Sequence, residues 1–280
     1  MNDALDVCQS KFETDFELEQ LVELQNEVYR ERGIHFTVDS FRQWYVKNPC
    51  GRALSFNAFD GDKMVAHYAC IPTKMLFGDE VVLGIHSMAT VTHPDYRGRG
   101  LFKTLAKLTY DYAKECGYKF VIGVANANSF PGFIKYFDFQ FISQLDVKMG
   151  WGTIIKPKNS NLICKYWDKD LFNWRLNCCK ANYCLKGNSL LGKYNALVNT
   201  YMGTFSEDLL KVTSAQDKHL GFRPKLYVGI GAKFNSLYFN VPKFIKRSPF
   251  NLIFLDLTNG ELPTITKDNI FFQLFDFDVA

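Results

Sequence analysis

The chain has 280 residues, 47% of them hydrophobic, enough to bury a sizeable core in one or two domains. Its net charge of +4 is mild, and no basic run is interleaved with aromatics, which argues against nucleic acid and leaves a small anionic molecule as the better partner. No apolar run is long enough to cross a bilayer, and residues 1–20 are too acidic and polar for a signal peptide. Eight cysteines without a Cys-x-x-Cys pair or a metal-ligand spacing read as reduced, mostly buried thiols of a cytoplasmic protein with no metal.

From the N-terminus, residues 13–32 place Leu18, Leu21, Val22, Leu24 and Val28 at helical spacing, and Gly33 stops the helix. Asp39 or Ser40 caps a short second helix whose Phe41, Trp44 and Tyr45 read as core. Residues 53–59 and 64–74 are strands joined by Asp60-Gly61-Asp62-Lys63, a hairpin signal. A turn at Gly78-Asp79-Glu80 leads into a long apolar strand over 81–92. Next comes His93-Pro94-Asp95-Tyr96-Arg97-Gly98-Arg99-Gly100-Leu101-Phe102. Leu101, Phe102, Leu105, Leu108, Tyr112, Ala113 and Cys116 then recur at helical spacing up to Gly117. The centre of the chain is therefore strand, glycine turn, helix. Gly98 and Gly100 permit close backbone approach. The unpaired N–H groups of the helix's first turn hold an anion, and Arg97 and Arg99 add forked donors. The turn fits neither the P-loop nor the dinucleotide-binding pattern. Phe120–Ala125 follows as a short buried strand, parallel to 81–92 because a crossover helix joins them.

Residues 93–139 resemble the central motif of the GNAT superfamily of acyl-CoA-dependent N-acyltransferases. In that family an Arg/Gln-x-x-Gly-x-Gly/Ala turn binds the pyrophosphate of coenzyme A. Arg97, Arg99 and Gly100 match it, with Gly98 and Leu101 between, while Phe102 departs from the last Gly/Ala and narrows the room there. The resemblance implies a mixed α/β, mostly antiparallel twisted sheet flanked by helices, with acyl-CoA as co-substrate. It also implies that the two parallel strands splay apart and that the backbone of Ala89, Thr90 and Val91 bonds the pantetheine arm. Asn126 or Asn128 takes the place of a family Asn that contacts pantetheine or positions the thiol. The alternative for Asn128 or Ser129 is a helix N-cap. The family's acidic Tyr position falls on Ile134, so Tyr136 serves as acid only by a changed geometry, or simply packs. His86, on the strand that would carry the thioester, is the candidate base. Its alternative is a hydrogen-bonded core histidine. His93 shapes the turn, and His67 is a second wall of the pocket.

Gly150-Trp151-Gly152 and the polar stretch 156–161 mark a domain boundary, dividing 1–150 from 151–280. In the second part residues 168–180 read as a helix capped by Asp168. Residues 194–201, 207–212, 226–232, 250–257 and 271–279 read as strands. This suggests a smaller α/β domain resembling a degenerate GNAT repeat that builds the acceptor pocket. The layout is similar to bacterial GNAT-type sugar N-acyltransferases. The expected acceptor is then the amine of a nucleotide-linked amino-deoxysugar of surface polysaccharides. Arg175, Lys180, Tyr183, Lys186, Lys193, Tyr194, Arg223, Lys225 and Tyr227 are available to hold it. Another amine as acceptor, or a non-catalytic acyl-CoA-binding module, stays open at this point.

Overall fold

A computed structural model of the chain describes residues 5–178, 183–193, 197–213, 223–235, 237–242 and 248–277. Strand β1 (Asp6–Ser10) precedes helix α1 (Asp15–Tyr29), whose 3₁₀ continuation over Arg30–Arg32 stops at Gly33 in the left-handed region, as the sequence predicts. Helix α2 (Val38–Phe41) continues into a π turn over Arg42–Val46. Its cap is Thr37, whose hydroxyl accepts the Ser40 N–H at 3.2 Å, rather than Asp39 or Ser40. Strands β2 (Leu54–Asp60), β3 (Lys63–Phe77) and β4 (Glu80–Thr92) form the expected antiparallel meander. Helix α3 (Leu101–Glu115) crosses over to β5 (Phe120–Ala125), parallel to β4, and helix α4 (Phe130–Phe137) follows.

After α4 come two strands, β6 (Gln140–Gln144) and β7 (Asp146–Gly150), although the apolar alternation there would suit one continuous strand. The chain turns at buried Leu145, whose N–H bonds Phe250 O at 2.8 Å, and the two strands join different parts of the molecule. Beyond them lie β8 (Thr153–Ile155), β9 (Ile163–Lys165) and α5 (Lys169–Cys178). Asp168 caps α5 by accepting the Leu171 N–H at 2.8 Å. Next are β10 (Tyr183–Lys186), β11 (Ser189–Lys193), β12 (Asn199–Thr204), α6 (Glu207–Leu210) and β13 (Lys225–Ile230). The chain ends with β14 (Lys233–Asn235), β15 (Tyr238–Asn240), β16 (Asn251–Asp256) and β17 (Ile270–Gln273). The strand expected at 207–212 is thus a helical turn. Glu207 and Asp208 suit a helix N-terminus, and Leu210 packs against Phe172, Phe205 and Phe275. The expected strand at 271–279 stops at Gln273, and a 3₁₀ turn takes its place over Leu274–Asp276. The calls on 179–180, 194–196 and 278–279, among them Lys180, Tyr194 and Cys179, lie outside the described residues. Of the described cysteines Cys70, Cys164 and Cys184 are buried, whereas Cys8 and Cys116 are exposed, so the thiols are less buried than expected.

The two halves exchange strands. Strand β16 runs antiparallel between β5 and β6, giving the order β4-β5-β16-β6. Strand β7 does the same between β13 and β15, giving β12-β13-β7-β15. Leu252 and Ile253 of β16 are fully buried in their host sheet. A boundary at residue 150 therefore does not separate the sheets, because each half completes the other's core.

Candidate active site

Strands β4 and β5 pair at Ile85–Val121, His86–Ile122 and Ser87–Gly123, and there the pairing ends although both strands continue. On its other edge β4 faces β3, and the register slips so that Ser87 opposes Cys70 while Ala89 opposes Ala69. Met88 is the extra residue of this bulge, which bends β4 away from β5. The splay expected by resemblance is thus present. Ala89, Thr90 and Val91 pair with β3 on one edge and turn the other toward the gap. On the α3 side, the Ser87 hydroxyl lies 2.8 Å from the Tyr68 hydroxyl, which in turn meets that of Tyr110. Sequence reading did not single out this run of three hydroxyls, because only the packing of α3 on β3 and β4 assembles it.

The glycine turn sits beside the gap. His93 holds its base, bonding Glu27 through Nε2 at 2.9 Å and accepting the Asp95 N–H at Nδ1, so it shapes the turn as expected. Gly98 and Gly100 have φ of 79° and 76°, which a side chain would oppose. The first helical bond is Thr104 N–H to Gly100 O, so the N–H groups of Leu101, Phe102 and Lys103 precede the ladder. The Arg99 guanidinium lies 4.8 Å over the Tyr96 ring, and Arg97 Nε donates to Thr92 O at 3.3 Å. A cleft of about 510 Å³ opens here, lined by Arg97, Gly98, Gly100, Phe102 and Tyr136 among others. The Phe102 ring stands edge-on to Phe133 and Phe137 at 5.2 and 5.6 Å. It fills the space over Gly132, where a Cβ would meet it at 2.8 Å, so it departs from the family pattern toward α4. Amides, arginines and cleft fit the diphosphate of coenzyme A.

The other expected residues divide. Tyr136 is exposed in the wall of this anion cleft, 5.3 Å from Lys103 Nζ and 5.4 Å from Lys135 Nζ, and does not line the cavity that holds His86. Asn126 Oδ1 accepts the N–H groups of Asn128 and Ser129 at 2.9 and 3.0 Å. The side chain that caps the start of α4 is therefore that of Asn126, not of Asn128 or Ser129, and both asparagines are exposed at the end of β5. His67 is no pocket wall. It is buried among Tyr45, Ser55 and Asn57, bonded on both ring nitrogens, and burial holds it down to about 3.

His86 differs from His67. It is only 4% exposed, and its ring makes no hydrogen bond among the described residues. It lines a cavity with Trp44 of its own half and with Lys165, Trp174, Arg175 and Asp276 of the other. Burial first, then Lys165 and Arg175, hold its pKa well below the ordinary value, so the imidazole is neutral. Arg175 is fixed, donating to Phe275 O and Phe277 O at 3.1 and 3.0 Å and lying over the Trp44 ring at 4.9 Å. Asp276 accepts from Trp167 Nε1 and the Gln273 N–H, yet burial raises it to about 6. Burial likewise lowers Lys165 to about 8. Lys165, Trp174 and Asp276 carried no local motif. They reach His86 only because β9, α5 and the end of β17 pack on the first half.

The model of the acetyltransferase (GNAT) domain family matches residues 11–142. No curated protein matches the chain. Among solved structures, a conserved Enterococcus faecalis V583 protein described as a probable N-acyltransferase is similar over 91% of this chain and 73% of its own, with a TM-score of 0.62 at 9% identity. A GCN5-related N-acetyltransferase from Kribbella flavida is similar over the same shares, with a TM-score of 0.55 at 12% identity. A predicted acetyltransferase from Clostridium acetobutylicum, solved with acetyl-CoA, is similar over 48% of this chain and 89% of its own, at 0.40 and 15%. The first two likenesses show a shared fold that spans both halves. Residues 11–142, just under half of the chain, are thus similar to the GNAT acetyltransferase domain, and the fold of both halves is shared with solved structures described as N-acyltransferases.

Proposed function

We propose that the protein transfers an acyl group from acyl-CoA to the amine of a nucleotide-linked amino-deoxysugar by direct attack in a ternary complex. One observation carries the transfer itself. The gap between β4 and β5 has an anion turn at one end and a cavity with an unbonded, neutral histidine on the face opposite Ser87.

Acyl-CoA supplies a thioester, already activated toward amines. The amides of Leu101 to Lys103, with Arg97 and Arg99, hold its diphosphate. The free edge of Ala89, Thr90 and Val91 aligns the pantetheine arm along the gap. That places the reacting carbon near the Met88 bulge, between Ser87 and His86. Holding the two reactants there supplies much of the rate. His86 Nε2 or Nδ1 accepts a hydrogen bond from the amine, orients its lone pair and takes the proton as the C–N bond forms. The Ser87 hydroxyl, backed by Tyr68 and Tyr110, donates a hydrogen bond to the departing sulfur, a place that Tyr136 does not reach.

For the sugar nucleotide the support is the composition of the cavity: two cations, Lys165 and Arg175, and the Trp44 and Trp174 rings. Of the basic and aromatic set expected in the second half, Arg175 lines this cavity among the described residues, whereas Lys225 bonds Gly152 O and Tyr227 lies in the core. The test is thiol release from acetyl-CoA with UDP-glucosamine and a panel of free amines. Release that requires the amino-sugar nucleotide supports the assignment. Equal release with simple amines removes the sugar nucleotide but keeps the transfer, and no release with any amine despite CoA binding removes both.

A further inference from the structure

The cavity that holds His86 is a joint product of the two halves, and its charge is unusual for a site that takes an amine. Among the described residues it presents two cations, Lys165 and Arg175, against one carboxylate, Asp276. Asp276 does not pair with either cation. Its carboxylate is occupied by Trp167 Nε1 at 3.0 Å and the Gln273 N–H at 2.8 Å. The Arg175 guanidinium is committed to backbone carbonyls and stacked on Trp44. Lys165 is the adjustable member. Its ammonium makes one long contact, 3.5 Å to the Asp276 carbonyl, lies 5.3 Å over the Trp167 ring, and has no carboxylate within ion-pair distance among the described residues.

A half-buried ammonium held by one long hydrogen bond, with the Asp276 carboxylate near but not in ion-pair contact, gains from a ligand that completes it. His86 repeats the pattern: a nearly fully buried imidazole with no hydrogen-bond partner, lining the same space. Two incomplete polar groups thus face one cavity, one able to receive an N–H and the other able to bind an anion. The free room is about 10 Å³, that of a single water, so only the reacting end of an acceptor enters. Lys165, more exposed than His86, marks the open side.

On the reading that this domain transfers acyl groups, we propose that its acceptor is an anionic amine, with a phosphate or carboxylate on Lys165 and the amine on His86. The excess positive charge works in the same direction for both groups. It attracts the anion and disfavours the protonated amine, leaving the neutral nucleophile that the thioester requires. It also repels polyamines and other multiply charged cations.

Matched probes test this. Glucosamine 6-phosphate is compared with glucosamine, glycine with glycinamide, and spermidine serves as the cation. Thiol release from acetyl-CoA and calorimetric binding to the CoA-loaded protein are both measured. At least a tenfold preference in kcat/KM or in Kd for the anionic member of one pair is expected. The pair that shows it tells phosphate from carboxylate. Lys165→Met is expected to raise KM or Kd for that member tenfold while leaving CoA affinity unchanged, and Lys165→Arg to restore most of it. Preference for the neutral or cationic amine, or an equal loss for both members in Lys165→Met, overturns the proposal. Calorimetry reads it without turnover, so an anion preference in binding with no thiol release sinks the acyl-transfer reading and not the anionic subsite.

Discussion

The two halves use the same device in opposite ways. Each runs a helical segment, three antiparallel strands, helix, parallel strand: α1-α2-β2-β3-β4-α3-β5 in the first and α5-β10-β11-β12-α6-β13 in the second. In each, the parallel pair makes three residue pairings and then parts: at Ser87–Gly123 in the first, at Tyr201–Tyr227 in the second. Among the described residues the first gap stays open, beside a glycine-arginine turn. The second is filled by β17, which pairs with Gly229 and Ile230 of β13. Gln273 reaches across to accept the Thr204 N–H at 3.0 Å, and Gly203 leaves it room, since a Cβ there would meet its side chain at 2.6 Å. The helix that follows β12 begins with Glu207 and Asp208, which repel an anion. The segment that plugs the second gap then delivers Asp276 to the cavity of the first. A parallel pair that parts is thus only an opportunity, and what enters the gap decides whether a ligand does.

The largest expected effect comes from separating the halves. A chain ending at residue 150 loses β16 from between β5 and β6 and is expected to show no cooperative melt by circular dichroism. A sharp melt would mean that the first half is self-sufficient. A milder version, Ile253→Ala, is expected to cost about 2–5 kcal/mol in urea unfolding, because the site is fully buried. Next in size, His86→Ala is expected to lower kcat by roughly 10²–10⁴-fold with CoA affinity unchanged, the loss typical of a positioned proton acceptor. An equal loss in His67→Gln, which lies outside the cavity, would instead attribute the effect to folding.

The third prediction concerns the plug's far end. Burial raises Asp276 to about 6 from an ordinary value near 4, so the folded state holds that proton more tightly than the unfolded chain. The stabilisation is complete below about pH 4 and is lost as pH rises through 6. Asp276→Asn, which cannot ionise, is therefore expected to gain stability relative to the parent across this window, by up to about 3 kcal/mol at pH 7. A difference that does not vary between pH 4 and 7 would contradict it. The smallest effect is at the anion turn. Arg99→Ala is expected to weaken CoA binding by about 10–100-fold, the worth of one charge-assisted contact. Calorimetry should find one CoA per chain, and a stoichiometry of two would refute the plugged second gap.

Local patterns carried much of the first half. The hairpin at Asp60-Gly61, the helix from Leu101 and the turn through Gly98 and Gly100 all depend on side-chain period and on the dihedral freedom of glycine, which act over a few residues. Capping was legible in kind but not in position: Thr37 and Asn126 do the work expected of Asp39 or Ser40 and of Asn128 or Ser129, because a cap is chosen by where the turn closes. Leu145 could not be read as a break, since an apolar residue continues a strand equally well.

The chain by itself therefore determined the anion turn, the strand that carries His86 and the likeness of residues 11–142 to the GNAT acetyltransferase domain. Only the tertiary structure decided which strands complete which sheet, that Met88 bulges, and that β17 closes one gap. It alone brought Lys165, Arg175 and Asp276 to His86. Those outcomes depend on pairings between residues far apart in the chain, such as Ile253 with Gly123, 130 positions apart, and Gln273 with Thr204, 69 positions apart. Nothing in the local alternation of side chains distinguishes one such partner from another; the buried surface that each pairing completes does.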